Sequence, residues 1–363
     1  MKAALDGDIP DLRSLSATRT GCSFAGRPAV DDRKDMMDEF VTHTSWMRYV
    51  PDDASVMTLS IPGTHNSCCI SGLLGVGKTQ ELDLSDQLNA GIRFLDIRFT
   101  HYQDNLCVHH DVICTEKSYV DILTICFNFL KRYPSETILI SVEDESRVDD
   151  ALGKFAPSQI ACRLPIADTA TPGKNTRSFE DTFNAKTWEC IEDIPLFYNF
   201  IAAPPGSNSV VTSPALTSET RLEDVRGKII LLRRFEGSKG VGFDLSYWPE
   251  NECFRSAALP IYDIEDRYQN PGDDDKFDYV VAHIEKARRG DQNELYITFS
   301  SAVGLTAHGY SKKINPRLND YLAESPPGRI GIIVMDYFEE PQELVSNVIK
   351  ANVTTGLTGT PGR

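Results

Sequence analysis

The chain has 363 residues, 41% of them hydrophobic, and carries 37 Lys+Arg against 53 Asp+Glu, a net charge of −16. That length allows one large α/β domain or two ordinary ones. The acidic balance argues against nucleic acid as a partner, and against docking to anionic lipid by bulk charge. No apolar run reaches the roughly 18 residues of a membrane span. Residues 1–20 contain Asp, Arg and Pro and lack an apolar signal core. The nine cysteines form no CxxC pair. Reduced thiols are therefore expected, and a cytoplasmic or membrane-peripheral site ahead of a secreted one.

In chain order, residues 1–40 are polar, with a charge cluster at Asp31–Asp35, and read as a loosely ordered N-terminal extension. The main domain is expected over 41–352, with 353–363 as a tail. Strand-like runs follow at 56–61 (VMTLSI), 92–99 (IRFLDIRF), 106–109 (LCVH), 137–142 (TILISV), 228–233 (KIILLR), 259–264 (LPIYDI), 294–300 (ELYITFS) and 330–335 (IGIIVM). Several are nearly continuous in apolar residues, as parallel strands covered on both faces are. Helical spacing marks Ser118–Arg132, which stops before Pro134, and Lys276–Arg289, which stops at Gly290. Residues 146–227 are rich in Pro, Ser, Thr and Asn and read as an insertion with a short helix or two. Eight strands with helices between them predict a single-domain α/β fold, a TIM (β/α)8 barrel.

Chemistry in such a barrel sits where the strands end. The first run stops at Pro62-Gly63, read as a turn, and presents His65-Asn66. The second carries Asp96 and Arg98, and the third ends in His109-His110-Asp111. The others end in Glu143-Asp144-Glu145, Arg233-Arg234, Glu265-Asp266-Arg267-Tyr268, Ser300-Ser301 and Asp336-Tyr337. Two imidazoles that face one another can serve as general base and general acid. An arginine between them can bind a phosphodiester and offset its growing negative charge, without a metal.

The segments Leu59–Ser67, Gly91–Arg98, His109-His110 and Tyr133–Glu143 resemble the X domain of phosphatidylinositol-specific phospholipase C. Residues 226–238, 246–251, 265–268, 295–301, 314–322 and 330–337 extend the match toward the metal-independent bacterial-type enzymes. The resemblance covers about 45 to 350 apart from the insertion. It implies a distorted TIM barrel that cleaves the lipid by attack of the inositol 2-hydroxyl on phosphorus. It also implies His65 as general base, Asp336 as its orienting carboxylate, Arg98 at the phosphate and His110 as general acid. Asn66 would support the acid, while Asp96, Glu143, Arg234, Asp266 and Tyr268 would hold the sugar. The implied ligand is phosphatidylinositol or a glycosylphosphatidylinositol, met at a membrane interface by a monomer with no cofactor.

Two positions depart from the bacterial pattern. Asn66 stands where Asp is usual, and Glu143 where a sugar-contacting lysine is. Both look like the calcium-dependent relatives, so a calcium-dependent phospholipase C or another metal-dependent TIM-barrel phosphodiesterase is one alternative. A silent X domain that only binds inositol phosphates or sugars is another. Arg98 favours the metal-free reading, because its charge stands where the relatives place a calcium ligand.

Other residues have plainer readings. His109 is expected outside the barrel if the strand alternates, and His43, His101, His283 and His308 have no partner motif. Asp96 and Arg98 share a strand face and could be a structural ion pair. Asp144, Glu145, Asp149 and Asp150 read as a solvated acidic face, and Cys68-Cys69 as small apolar packing. The stretch 68–78 reads either as a bilayer-inserting rim or as core under a loop.

Overall fold

The structure, a computed structural model, describes residues 43–71, 77–110, 113–146, 175–190, 196–198, 216–237, 242–257, 260–303 and 306–353; of residues 109, 110 and 113–116 it describes the backbone alone. The expected extension over 1–40, nearly all of the tail 353–363 and much of the insertion lie outside the described residues.

The elements run β1 (Ile61–Thr64), α1 (Leu84–Asn89), β2 (Phe94–Tyr102), β3 (Asn105–His110), β4 (Ile113–Ser118), α2 (Tyr119–Arg132), β5 (Ile138–Asp144), α3 (Phe179–Glu189), α4 (Leu222–Val225), β6 (Ile229–Arg233), β7 (Phe243–Asp244), β8 (Cys253–Arg255), β9 (Ile261–Glu265), α5 (Asp273–Arg289), β10 (Glu294–Phe299), α6 (Ala307–Glu324), β11 (Ile332–Met335) and α7 (Leu344–Lys350). The sheet order is β7-β6-β5-β2-β1-β11-β10-β9-β8. Pairing is parallel from β7 to β9, which gives eight parallel strands, and β8 adds antiparallel to β9. This is the expected barrel in its distorted form. Among the described residues no ladder joins β7 to β9.

The parallel strands are buried throughout in β1, β6, β10 and β11, which explains their unbroken apolar runs. Helix α2 forms where the apolar stripe predicts it. Ser118 accepts from Asp121 N–H and Asp121 returns to the Ser118 N–H, a reciprocal cap. Ile122, Leu123, Cys126, Phe127 and Leu130 face the core. Helix α5 has Asp273, Asp274 and Asp275 in its first turn and Lys286, Arg288 and Arg289 in its last, matching the helix dipole at both ends.

Two strand expectations are corrected. The run 56–61 is not the first strand. Val56–Thr58 is a 3-10 turn, and β1 begins at Ile61 and passes through Pro62 and Gly63. Proline fits because it stands near the strand start, before β2 has come alongside; Gly63 is the first β1 residue with a β2 partner, Phe94. Glycine fits because a Cβ at position 63 would lie 2.9 Å from Phe94 Cβ. The run 106–109 is not a barrel strand either. It is β3, which returns antiparallel along β2 and pairs with β4. The eighth parallel strand is instead β7, only two residues long. Within the insertion the one described longer helix is α3, capped by Ser178.

Candidate active site

Strand β1 delivers His65 to the C-terminal end of the sheet. The chain turns sharply there because Asn66 adopts a left-handed conformation (φ 42°), which asparagine tolerates better than most residues. His65 N–H bonds to Met335 O at 2.9 Å. Gln80 Nε2 donates to both His65 O (2.8 Å) and Met335 O (2.9 Å), clamping β1 to the end of β11. Asp336 follows at once. Its carbonyl is held by Asn315 Nδ2 of α6 at 2.9 Å.

His65 Nδ1 lies 2.8 Å from Asp336 Oδ1. A carboxylate only accepts, so Nδ1 carries the proton. Nε2 then has a lone pair, and Asn66 Nδ2 donates to it at 3.2 Å. This is the tautomer a general base needs, oriented by a buried acid. Phe299 meets the imidazole edge-on at 6.1 Å.

Strand β2 carries the charged centre. Asp96 is fully buried and bonds to Arg98 Nη2 (3.1 Å), Arg98 Nε (3.3 Å), Arg234 Nη1 (3.3 Å) and Asn66 N–H (3.3 Å). Burial works against its charge. The guanidinia of Arg98 and Arg234, with His65, more than offset this and hold the carboxyl at about 2. Arg98 is opposite Glu143 in the β2–β5 register, and their side chains pair at 3.3 Å. Arg234 Nη2 reaches the same Glu143 oxygen at 3.0 Å. Burial opposes Arg98's charge, but Asp96, Glu143, Glu145 and Asp266 raise its pKa well above the ordinary value. At 19% exposure its side chain is still open to a ligand.

Glu145 is the correction of most consequence. It does not belong to a solvated face: its side chain is 11% exposed and accepts from Arg98 Nη1 at 3.1 Å. Burial pushes its carboxyl up to about 7, with Arg98 opposing and Glu143 adding to the rise. A signal for it was present in the sequence. Glu143 and Glu145 are two apart, so they share a face, and that face meets Arg98 across the ladder.

Asp266 and Tyr268, expected to hold the sugar, follow strand β9. Asp266 Oδ2 accepts from Trp248 Nε1 at 2.8 Å. The Trp248 ring lies under the Arg234 guanidinium at 3.7 Å. Trp248 stands within 246–251, yet no motif there marked it as a site residue. Burial raises the Asp266 carboxyl, and Arg234, Trp248, Arg98 and Lys276 pull it back in part. Tyr268 is half-buried, with its N–H on Asn251 Oδ1 at 2.9 Å.

His110 ends β3, and its side chain lies outside the described ones. Its backbone pairs with Ile113 of β4, while the β2–β3 ladder ends two residues earlier at Phe99↔Val108. Residues 72–76 of the rim stretch are likewise outside the described residues. Cys68 and Cys69 are buried, and burial raises both thiols. Arg233 turns away to Asp244. His43, His101 and His283 bond to Ser346, Thr182 and Asp263, and His308 lies 3.5 Å from Glu340 with its ring against Tyr337.

A calcium ion would need the space on which Asp96, Glu143 and Glu145 converge. That space holds the Arg98 guanidinium, so the residues present do not fit the ion. Among the described residues no cluster of three or more His, Cys, Asp or Glu forms a cation site.

Comparison with known proteins agrees with this geometry. Residues 56–154 match the model of the phosphatidylinositol-specific phospholipase C X domain. The 1-phosphatidylinositol phosphodiesterase of Listeria monocytogenes is 26% identical over 323 residues, 86% of each chain. That of Staphylococcus aureus is 26% identical over 332 residues, 85% of this chain and 94% of its own. The solved phosphatidylinositol-specific phospholipase C of Listeria monocytogenes superposes with a TM-score of 0.61 at 26% identity, covering 86% of this chain and 100% of that one. A Staphylococcus aureus structure gives 0.69 at 22% identity, covering 86% and 98%, and supports the fold. Residues 56–154 are thus similar to the phosphatidylinositol-specific phospholipase C X domain, and most of the chain is similar to the bacterial 1-phosphatidylinositol phosphodiesterases.

Proposed function

We propose that the protein cleaves phosphatidylinositol at its phosphodiester, giving diacylglycerol and inositol 1,2-cyclic phosphate. The observation that carries the reading is the His65–Asp336 pair, with a lone pair on Nε2, linked through Asn66 and Asp96 to Arg98. The inositol 2-hydroxyl displaces the Asn66 amide from Nε2 and gives its proton to His65 as its oxygen attacks phosphorus. Asp336 stabilises the resulting imidazolium. Arg98 offsets the charge gathering on the phosphoryl oxygens. The bond from phosphorus to the glycerol oxygen breaks, and that oxygen takes a proton from His110. Asn66 Oδ1, buried with no hydrogen-bond partner among the described residues, is an acceptor available to that acid. Asp96, Glu143, Arg234, Asp266 and Tyr268 form the sugar wall.

Catalysis in this reading is metal-free, because the arginine takes the place of a cation. An unphosphorylated head group suits a wall rich in carboxylates. Contact with the lipid at the mouth rim is supported by Tyr247, beside Trp248 and 61% exposed, and by Val303, whose N–H bonds to Tyr268 O and which is 52% exposed. The test is turnover of phosphatidylinositol in excess EDTA, then with added Ca²⁺. Equal rates are expected. Activity that needs Ca²⁺ would overturn the metal-free reading.

A further inference from the structure

Beneath the sugar wall is an ion pair that the proposed reaction does not use. Lys276, in the first turn of α5, donates to Glu265 Oε1 (3.0 Å), Glu265 Oε2 (2.9 Å) and Arg267 O (2.8 Å). Both charged side chains are fully buried. Glu265 Oε1 also accepts the Arg267 N–H at 3.0 Å. The ammonium therefore ties together the two residues on either side of Asp266.

Stability alone does not account for this arrangement. Burying an ion pair costs desolvation that its own attraction barely offsets, and an apolar pair of equal size is often as stable. A cation in the first turn also opposes the helix dipole.

We infer that Lys276 is a positioning residue for head-group recognition, one that fixes the 265–267 turn so that Asp266 faces the ligand as a hydrogen-bond acceptor. The inference rests on the sugar-side reading of Asp266 given above. The groups facing Asp266 are Arg98 from β2, Arg234 after β6, Trp248, Tyr268 and Lys276 from α5, with Glu265 adjacent in the chain. Burial raises the Asp266 carboxyl, and Lys276 is one of the cations that oppose the rise. Removing the ammonium raises Asp266 further, so ligand binding fails at a higher pH. Removing the Glu265 charge and keeping Lys276 moves the failure to a lower pH.

The experiment is calorimetric titration with myo-inositol from pH 5 to 8. Wild type is compared with Glu265→Gln and with the double variant Lys276→Met/Glu265→Leu, which exchanges the pair for apolar groups. Thermal unfolding reports folding separately. The double variant is expected to keep its fold and lose about tenfold in affinity, the equivalent of one misplaced hydrogen bond, with its acid limb close to that of wild type because the two charges removed act on Asp266 in opposite senses. Glu265→Gln is expected to move that limb down. In turnover, KM should change more than kcat. Folded variants with wild-type affinity and pH dependence would overturn the role of Lys276 and leave the sugar wall intact. No myo-inositol binding by wild type at any pH would overturn the sugar-side reading itself, and the inference with it.

Discussion

At the scale of single residues, function concentrates in how few groups hold how many charges. Asp336 fixes the proton of His65 on Nδ1. Asp336→Asn keeps the shape but lets the amide donate to Nδ1, which favours the wrong tautomer. Turnover should fall by about 10²–10⁴ with little change in KM, and an unchanged kcat would count against the pairing. Glu145 gives a stability prediction with a definite sign. Its carboxyl is raised from the ordinary 4.5 to about 7, so the folded protein holds a proton there that the unfolded chain has lost. Stability from this group is present below its unfolded value and is lost as pH rises through 7. Glu145→Gln should therefore stabilise the protein at pH 8, by at most about 3 kcal/mol, and have little effect at pH 4. Urea unfolding at the two pH values checks it; equal effects at both would contradict the protonation.

At the scale of elements, the sequence and the structure part company where long-range pairing decides. Pro62-Gly63 reads locally as a turn. In the sheet it is strand, because β11 and β2 flank it and Phe94 fills the place a side chain would take. Gly63→Ala should destabilise by roughly 1–3 kcal/mol through overpacking against Phe94, seen as a lower denaturation midpoint. A neutral result would mean that the Phe94 ring can move aside. The short run 106–109 has the apolar content of a barrel strand, but its chain direction is set by the two-residue link at Gln103-Asp104, both of positive φ. Strand β7 has two residues and no periodic signal at all. Helices α2 and α5 were legible because caps and stripes act within one element, whereas α1, α6 and α7 were not read from the sequence. The site was legible in part for the same reason. His65 and Asp336 come just after strands and Asp96 and Arg98 lie within one, whereas Trp248 reaches the site from a loop. Glu145 was hidden by the neighbouring Asp144, which faces the other way and bonds to Ser146 N–H.

At the scale of the whole molecule, a net charge of −16 sets how it can meet a bilayer. Bulk charge disfavours anionic lipid, so in the proposed reading apolar contacts at the rim carry any binding to a bilayer. Vesicles of phosphatidylcholine should bind the protein at least as well as vesicles rich in phosphatidylserine. The difference should shrink as salt rises toward 1 M, where the screening length is about 3 Å. Tighter binding to anionic vesicles at low salt would point to a basic patch outside the described residues.

All of this depends on one chemical event, the transfer of a hydroxyl proton to His65 without help from a metal. Phosphorus NMR of phosphatidylinositol micelles in excess EDTA reads it directly, for wild type and His65→Ala. The expected result is a cyclic inositol phosphate signal that grows with wild type and is slowed by about 10²–10⁴ in the variant. Equal rates for the two proteins, or an acyclic inositol phosphate formed from the outset, would contradict it.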